Sequence, residues 1–128
     1  MITYMMRRFD LEQFLINIEK FNVTDITVVP PMVIAIIMSP LTQKRNFLKR
    51  VKWAACGAAP LDKQTQARFH SLLNEEVPFT QAWGMTELTC TGAIFPYTEH
   101  DDTGSVGRLI PNLEAKSVSI PSANKISP

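Results

Sequence analysis

Neither sign of charge is in real excess. Thirteen Lys and Arg stand against 12 Asp and Glu, a net charge of +1 in 128 residues, which gives no electrostatic footprint for nucleic acid or for an anionic membrane. Cysteine is nearly missing: Cys56 and Cys90 are the only two, and no C-x-x-C or Cys/His cluster accompanies them, so a structural zinc site has no ligand set. Two buried, reduced thiols in an intracellular chain are expected, with a single disulfide as the alternative. His70 and His100, the only histidines, lack partners at ligand spacing, and both are expected to be solvated. No apolar run is long enough to span a bilayer, because residues 26–38 are too few and carry Pro30-Pro31. Residues 1–8 lack the apolar core of a signal peptide, which makes a cytoplasmic location the default expectation. Neither G-x-x-x-x-G-K-[ST] nor G-x-G-x-x-G occurs, so P-loop and dinucleotide-fingerprint readings have no support. Ser-His-Asp and Cys-His constellations and internal repeats are missing as well.

What remains is an ordinary globular composition, 45% apolar and 20% charged. The length suits one domain that buries roughly two-thirds of its unfolded surface. Asp10 reads as an N-cap with Gln13 at the capping-box position, and Phe9 and Phe14 are spaced as a hydrophobic staple. Leu11, Phe14, Leu15 and Ile18 give the first helix one buried stripe, and Phe21-Asn22 ends it. Residues 26–29 predict a β-branched, buried strand. Pro30-Pro31 starts a second, apolar helix that Ser39-Pro40 closes. The basic residues Lys44, Arg45, Lys49, Arg50 and Lys52 alternate with Phe47, Leu48 and Val51, as on the solvated side of a helix or loop. A second unit repeats the plan: a strand over 51–56, a turn of small residues over 57–60, and a helix capped by Asp62 with Phe69, Leu72 and Leu73 inward. Residues 77–83 predict a third strand, with Pro78 restricting its start. Alternating strands and helices imply an α/β fold of βαβ units on a parallel sheet. Residues 92–95 predict a short strand, Gly104-Ser105-Val106-Gly107 a turn, and residues 113–118 a further extended segment. Residues 117–128, with four serines and two prolines, read as an unstructured tail.

The most informative run is Gln81-Ala82-Trp83-Gly84-Met85-Thr86-Glu87. It predicts a strand end, a glycine turn and a helix start, which would crowd a hydroxyl, a carboxylate and free N–H groups at one strand end. Phosphate favours such N–H groups, and Mg2+ prefers hard oxygen ligands shared with phosphates. A turn with Thr86 as N-cap is the alternative for these residues taken alone. In open α/β sheets ligands bind beyond the carboxyl ends of the strands. Here those ends are Pro30-Pro31, Gly57-Ala58-Ala59-Pro60 and Trp83-Gly84-Met85-Thr86-Glu87, which are expected to line one crevice. Small residues over 57–60 would let a flat heterocycle lie on the backbone, or simply make a compact turn. Asp101-Asp102 beside Gly104 is expected to be turn chemistry.

Gly57-Ala58-Ala59-Pro60-Leu61, then the run over 81–87, then Gly104-Ser105-Val106-Gly107-Arg108 with Pro111-Asn112 resemble, in order and rough spacing, the adenylate-forming enzymes. The likeness is to acyl-CoA synthetases of the 4-coumarate–CoA ligase-like type and covers roughly residues 4–116. It implies that a carboxylic acid, ATP and CoA are the substrates of the intact family. An acyl-adenylate forms with release of pyrophosphate, and the CoA thiol then takes the acyl group. It also implies that Gly57, Ala58 and Ala59, with Trp83, Gly84 and Met85, contact the adenine nucleotide. Thr86 would hydrogen-bond the α-phosphate, and Glu87 would hold Mg2+. Ala82, Cys90, Thr91 and Val106 would line the acyl pocket. Trp83 replaces the family's usual tyrosine, which keeps a stacking face and loses the phenol. Cys90 and Thr91 stand where many hydroxycinnamate ligases carry proline and valine. The family's Gly-rich lysine loop, its downstream ribose-binding aspartate and its C-terminal lysine domain are not in this sequence. The expectation is therefore a partial adenylation domain over 1–116, inactive alone. The alternatives are a non-catalytic nucleotide- or partner-binding remnant and an unrelated doubly wound domain.

Overall fold

A computed structural model describes residues 1–118. Helix α1 (Leu11–Lys20) starts where Asp10 accepts a hydrogen bond from the Gln13 N–H, and it buries Leu15 and Ile18. The Phe9 and Phe14 rings meet at 5.7 Å across its first turn, as a hydrophobic staple requires. Strand β1 (Asp25–Val28) comes next, buried on one side only: Ile26 and Val28 point inward while Asp25 and Thr27 are exposed. Helix α2 (Pro30–Met38) has proline in its first turn, where no intrahelical N–H is needed. Ser39-Pro40 ends α2 and also opens a short helix α3 (Pro40–Lys44), which was not expected, with the Ser39 hydroxyl accepting from Leu41 N–H. Strand β2 (Trp53–Cys56), helix α4 (Lys63–His70, capped by Asp62) and strand β3 (Phe79–Gln81) complete the parallel sheet, in order β1-β2-β3.

Fifteen buried apolar residues form one core, among them Leu15, Val28, Val33, Ile36, Leu48, Val51, Phe69 and Phe79. Full burial of such a side chain is worth about 1.5–3 kcal/mol against leaving it in water. The Phe69 and Phe79 rings, tilted at 4.6 Å, tie α4 to β3. Among the described residues, the buried Thr80 hydroxyl and the Trp53 Nε1–H find no hydrogen-bond partner.

A second sheet departs from the parallel pattern. β4 (Trp83–Met85), β5 (Cys90–Ile94) and β6 (Arg108–Leu109) pair antiparallel in that order. The third parallel strand is therefore shorter than the predicted 77–83. Pro78 delays its start, and after Gln81 the chain leaves the first sheet for the second. Residues 81–87 do not form a strand, turn and helix start. Trp83, Gly84 and Met85 are themselves a strand, and Thr86–Leu88 then make one turn of 3-10 helix. Residues 113–118 form no strand; the pairing falls earlier, at β6. Most of the expected tail, residues 119–128, lies outside the described residues. No helix among the described residues is long and apolar enough to cross a membrane.

Candidate functional site

The three parallel strands end in step. In β1 and β2 the register pairs Val28 with Cys56, and in β2 and β3 it pairs Cys56 with Gln81. The ladder continues one residue further: Gly57 N–H donates to Val28 O at 3.1 Å, and Ala82 N–H donates to Cys56 O at 2.8 Å. These bonds carry the turn after β2 and the run after β3 to one rim. Ala58 sits there at φ 71°, a left-handed conformation that strains a residue with a Cβ.

The antiparallel sheet supplies the facing wall. Gly84 pairs with Thr91 and Met85 with Cys90, while Trp83 pairs with Ala93, so Gly92 is the extra residue of a bulge. Both glycines stand at close approaches, Gly84 against backbone and Gly92 against side chains. A Cβ on Gly84 would stand 1.7 Å from Cys90 O, and one on Gly92 would stand 2.5 and 2.8 Å from Cζ3 and Cε3 of the Trp83 indole. The Trp83 indole thus packs against Gly92, while the residue stays 40% exposed. The turn carrying Thr86 and Glu87 closes with Thr89 N–H on Thr86 O at 3.0 Å, and Thr89 and Cys90 both have positive φ.

Between these walls lies a crevice of about 720 Å³, within the size range of small-molecule sites. Of the residues singled out from the sequence, Gly57, Ala58, Ala82, Trp83, Gly84, Met85, Thr86, Cys90 and Thr91 line it. Ala59, Glu87 and Val106 do not; each is exposed nearby in sequence, Ala59 in the turn after β2, Glu87 beside Thr86, and Val106 in the loop before β6. Val28 and Val29 line it where Pro30-Pro31 was expected, because both prolines are taken into α2. No lining residue is charged, and the hydroxyl-bearing ones are Thr27, Thr86, Thr89 and Thr91. Apolar walls with a few hydroxyls and an exposed indole suit a flat heterocycle joined to a polar group. A crevice of about 620 Å³ at the other end of the strands, between Thr24, Lys52 and Val77, receives none of the motif residues.

The two thiols differ. Cys56 is buried, and burial pushes its pKa up to about 11. Cys90 was expected to be buried too but is exposed at the crevice rim, since β5 begins there, and both cysteines are free. His70 is half-buried rather than solvated, with Nε2 2.9 Å from Val77 O and its ring 4.8 Å from that of His100.

Sequence reasoning missed the buried polar groups beside the crevice. Gln81 Nε2 donates to Leu61 O and to Gln66 Oε1, and Gln81 Oε1 accepts from Leu61 N–H. Gln66 Nε2 donates to Phe79 O at 3.3 Å and to Asp101 O at 2.7 Å. Asp101 is turn chemistry as expected, yet buried. Burial opposes its ionisation, and hydrogen bonds from the Thr103 hydroxyl and the N–H groups of Gly104, Thr103 and Ser105 outweigh that and hold its pKa below the usual carboxylate value. The available signal was Gln66 itself, a polar residue three positions before Phe69 on the inward stripe of α4.

The model of the family described as AMP-binding enzyme matches residues 2–126. The phenylacetyl-CoA ligase epaB of Aspergillus niger is 52% identical over 117 residues, covering 91% of this chain and 22% of that protein. The acyl-CoA synthetase ACTT5 of Alternaria alternata is 55% identical over 115 residues, covering 90% of this chain and 20% of that protein. The chain thus spans about a fifth of the length of these curated relatives. Among solved structures, a long-chain-fatty-acid-CoA ligase from Archaeoglobus fulgidus matches with a TM-score of 0.66 at 24% identity, over 79% of this chain and 22% of that one. ATP-bound MatB from Rhodopseudomonas palustris matches with a TM-score of 0.65 at 22% identity, over 84% of this chain and 20% of that one. The structural likenesses show a shared fold. The sequence match over nearly the whole chain shows more: it belongs to the AMP-binding enzyme family.

Proposed function

We propose that the crevice holds the adenylate part of an acyl-adenylate, and that this chain supplies that part of the site for an ATP-dependent acid–CoA ligase. The observation that supports this best is that two of the three family-like motifs meet at one rim, while the third is tied to them through buried amides. The names of relatives sharing half of its residues point the same way. In the reaction, a carboxylate oxygen of the acid attacks the α-phosphorus of ATP, the bond to pyrophosphate breaks, and an acyl-adenylate forms. The CoA sulfur then bonds to the acyl carbon, the thiol proton is released, and AMP leaves. Ala58 and the exposed Trp83 face would flank the adenine, and the Thr86 hydroxyl would donate to an α-phosphate oxygen. Cys90 and Thr91 would flank the acyl end.

Mg2+ would supply charge neutralisation at the phosphates. Among the described residues no three His, Cys, Asp or Glu side chains stand together as a metal cage. Glu87 alone suits an ion that keeps its waters and shares the nucleotide's phosphates. The crevice lining has no basic side chain to balance pyrophosphate as it departs. We therefore infer that the polypeptide by itself binds adenylate without turning it over, and that same observation favours the reading as a non-catalytic nucleotide-binding remnant.

Calorimetric titration with AMP and with a non-hydrolysable acyl-sulfamoyl adenosine tests the site; saturable binding that Thr86→Ala weakens is the expected result. No binding of either ligand would remove the proposal. Acid-dependent exchange of pyrophosphate into ATP that is abolished by Glu87→Ala would overturn the inference that the chain does not turn over alone.

A further inference from the structure

The amides of Gln66 and Gln81 have no freedom of orientation. Leu61 offers both an N–H and a carbonyl to Gln81, at 2.9 Å each, so the Gln81 oxygen must face the first and its nitrogen the second. Its remaining proton meets Gln66 Oε1 at 3.0 Å. The Gln66 nitrogen faces two carbonyls, Phe79 O and Asp101 O. Each side chain is only 4% exposed, and low local dielectric makes an unmade bond costly. The pair thus joins four stretches of chain that are distant in sequence: the end of the turn over 57–61, α4, β3, and the loop that begins at Asp101.

That loop depends on the same two residues. The Asp101 carboxylate accepts from Thr103 Oγ1 and from the N–H groups of Gly104 and Ser105. Gly104, at φ 83°, lies beside the clamp, where an added Cβ would reach ordinary contact with Gln81 Nε2 at 3.6 Å. At the far end Gly107 packs on the backbone of Ile94 and Phe95. The Gln66–Asp101 bond ties the start of the 101–107 loop to α4, and through Gln81 to the end of the turn after β2.

We propose that Gln66 and Gln81 form a positioning clamp that seats the adenine-side turn carrying Gly57 and Ala58 and ties it to the loop at Asp101, so that Gln81 governs affinity for the nucleotide while Gln66 governs the order of the loop. The functional half of this rests on the adenylate reading above; the structural half does not. Gln66→Met removes the tie to Asp101 and leaves both Gln81–Leu61 bonds. Gln81→Met releases Leu61 and leaves Gln66 Oε1 without its donor.

Amide hydrogen exchange and calorimetry on the full chain read the two halves separately. In Gln66→Met, exchange over residues 103–107 is expected to rise about tenfold, as for the loss of a buried hydrogen bond, while β2 stays protected. Affinity for AMP and for acyl-sulfamoyl adenosine is expected to hold within about twofold in this variant. In Gln81→Met both ligands are expected to weaken about tenfold. Gln66→Leu, which likewise lacks the donor to the Asp101 carbonyl, stands in if Gln66→Met fails to fold. Unchanged loop exchange in the Gln66 variant overturns the clamp. Full affinity for both ligands in Gln81→Met overturns its role in binding. Should the unaltered chain bind neither ligand, the adenylate reading fails, and the exchange result alone decides the clamp.

Discussion

A methyl group added at Gly84 and one added at Gly92 should have opposite consequences, although the two glycines lie on facing strands of one pair. At Gly84 the new carbon would stand 1.7 Å from Cys90 O, 2.7 Å from Cys90 C and 3.0 Å from Thr91 Cα. All three are backbone atoms, so nothing can rotate away. Non-bonded heavy atoms settle at roughly 3.5–4.0 Å, and β4 must therefore separate from β5 by more than an ångström. The Gly84–Thr91 and Met85–Cys90 pairings are then lost. At about 1 kcal/mol net per ladder bond, the loss comes to about 2 kcal/mol. That is a fall in melting temperature of about 10 °C for a domain of this size. At Gly92 the new carbon would meet only the indole of Trp83 and Leu88 Cδ1, at 2.5 to 2.8 Å. Trp83 is 40% exposed and can swing out, so Gly92→Ala should cost less than about 1 kcal/mol. Its effect on binding is larger, because a base stacked on an aromatic face is worth about 1–3 kcal/mol. Thermal unfolding followed by circular dichroism, with Trp83 emission read in a Trp53→Phe background, separates the two. The reasoning is refuted if Gly84→Ala melts with the unaltered protein, or if Gly92→Ala leaves both Trp83 emission and AMP affinity where they were.

Three further outcomes are expected. Thr80→Val removes a buried hydroxyl with no partner among the described residues, so it should raise the urea midpoint, a gain of about 1 kcal/mol; a lower midpoint would show that the hydroxyl is satisfied. Cys56 holds its proton up to about pH 11 when folded, against an ordinary value of 9.0. Stability from this group is therefore fully present below about pH 9 and falls as pH rises toward 11, and a Cys56→Ala protein should lack that alkaline decline in a denaturation series. Iodoacetamide at neutral pH should label the exposed Cys90 quickly and the buried Cys56 only on unfolding. Because Cys90 lines the crevice, acyl-sulfamoyl adenosine should slow its labelling, and equal rates with and without ligand would count against occupancy there.

The parallel half of the fold was legible because its signals are local. Asp10 and Asp62 cap the helices they were expected to cap, proline opens α2, and the apolar spacing of Leu15 and Ile18 faces the core. The antiparallel half was not. Trp83-Gly84-Met85 becomes a strand only because β5 returns alongside it, and a three-residue partner chosen by tertiary pairing leaves no periodicity to read. Cys90 looked like a buried thiol because apolar composition cannot distinguish a strand interior from a strand that begins at an open rim. The glutamine pair was missed for a related reason: a Gln on a surface and a Gln satisfied by two carbonyls have the same letter, and only the place of Gln66 on the inward stripe of α4 sets it apart. Of the candidate site, residues 57–58, 82–86, 90 and 91 fall on the crevice, whereas Glu87 and Val106, although inside their motifs, are exposed outside it.

The two ladder bonds that outlast the parallel strands, Gly57 to Val28 and Ala82 to Cys56, use main-chain atoms only. The rim is therefore drawn by the backbone, while Ala58 and Ala82 on it and Cys90 and Thr91 on the facing wall line the open crevice. A change of residue at those four places alters the shape and polarity met by a ligand without touching a bond that defines the rim. Frame and lining are separately variable, so one such scaffold can be refitted for ligands of different shape by exchanging its panels.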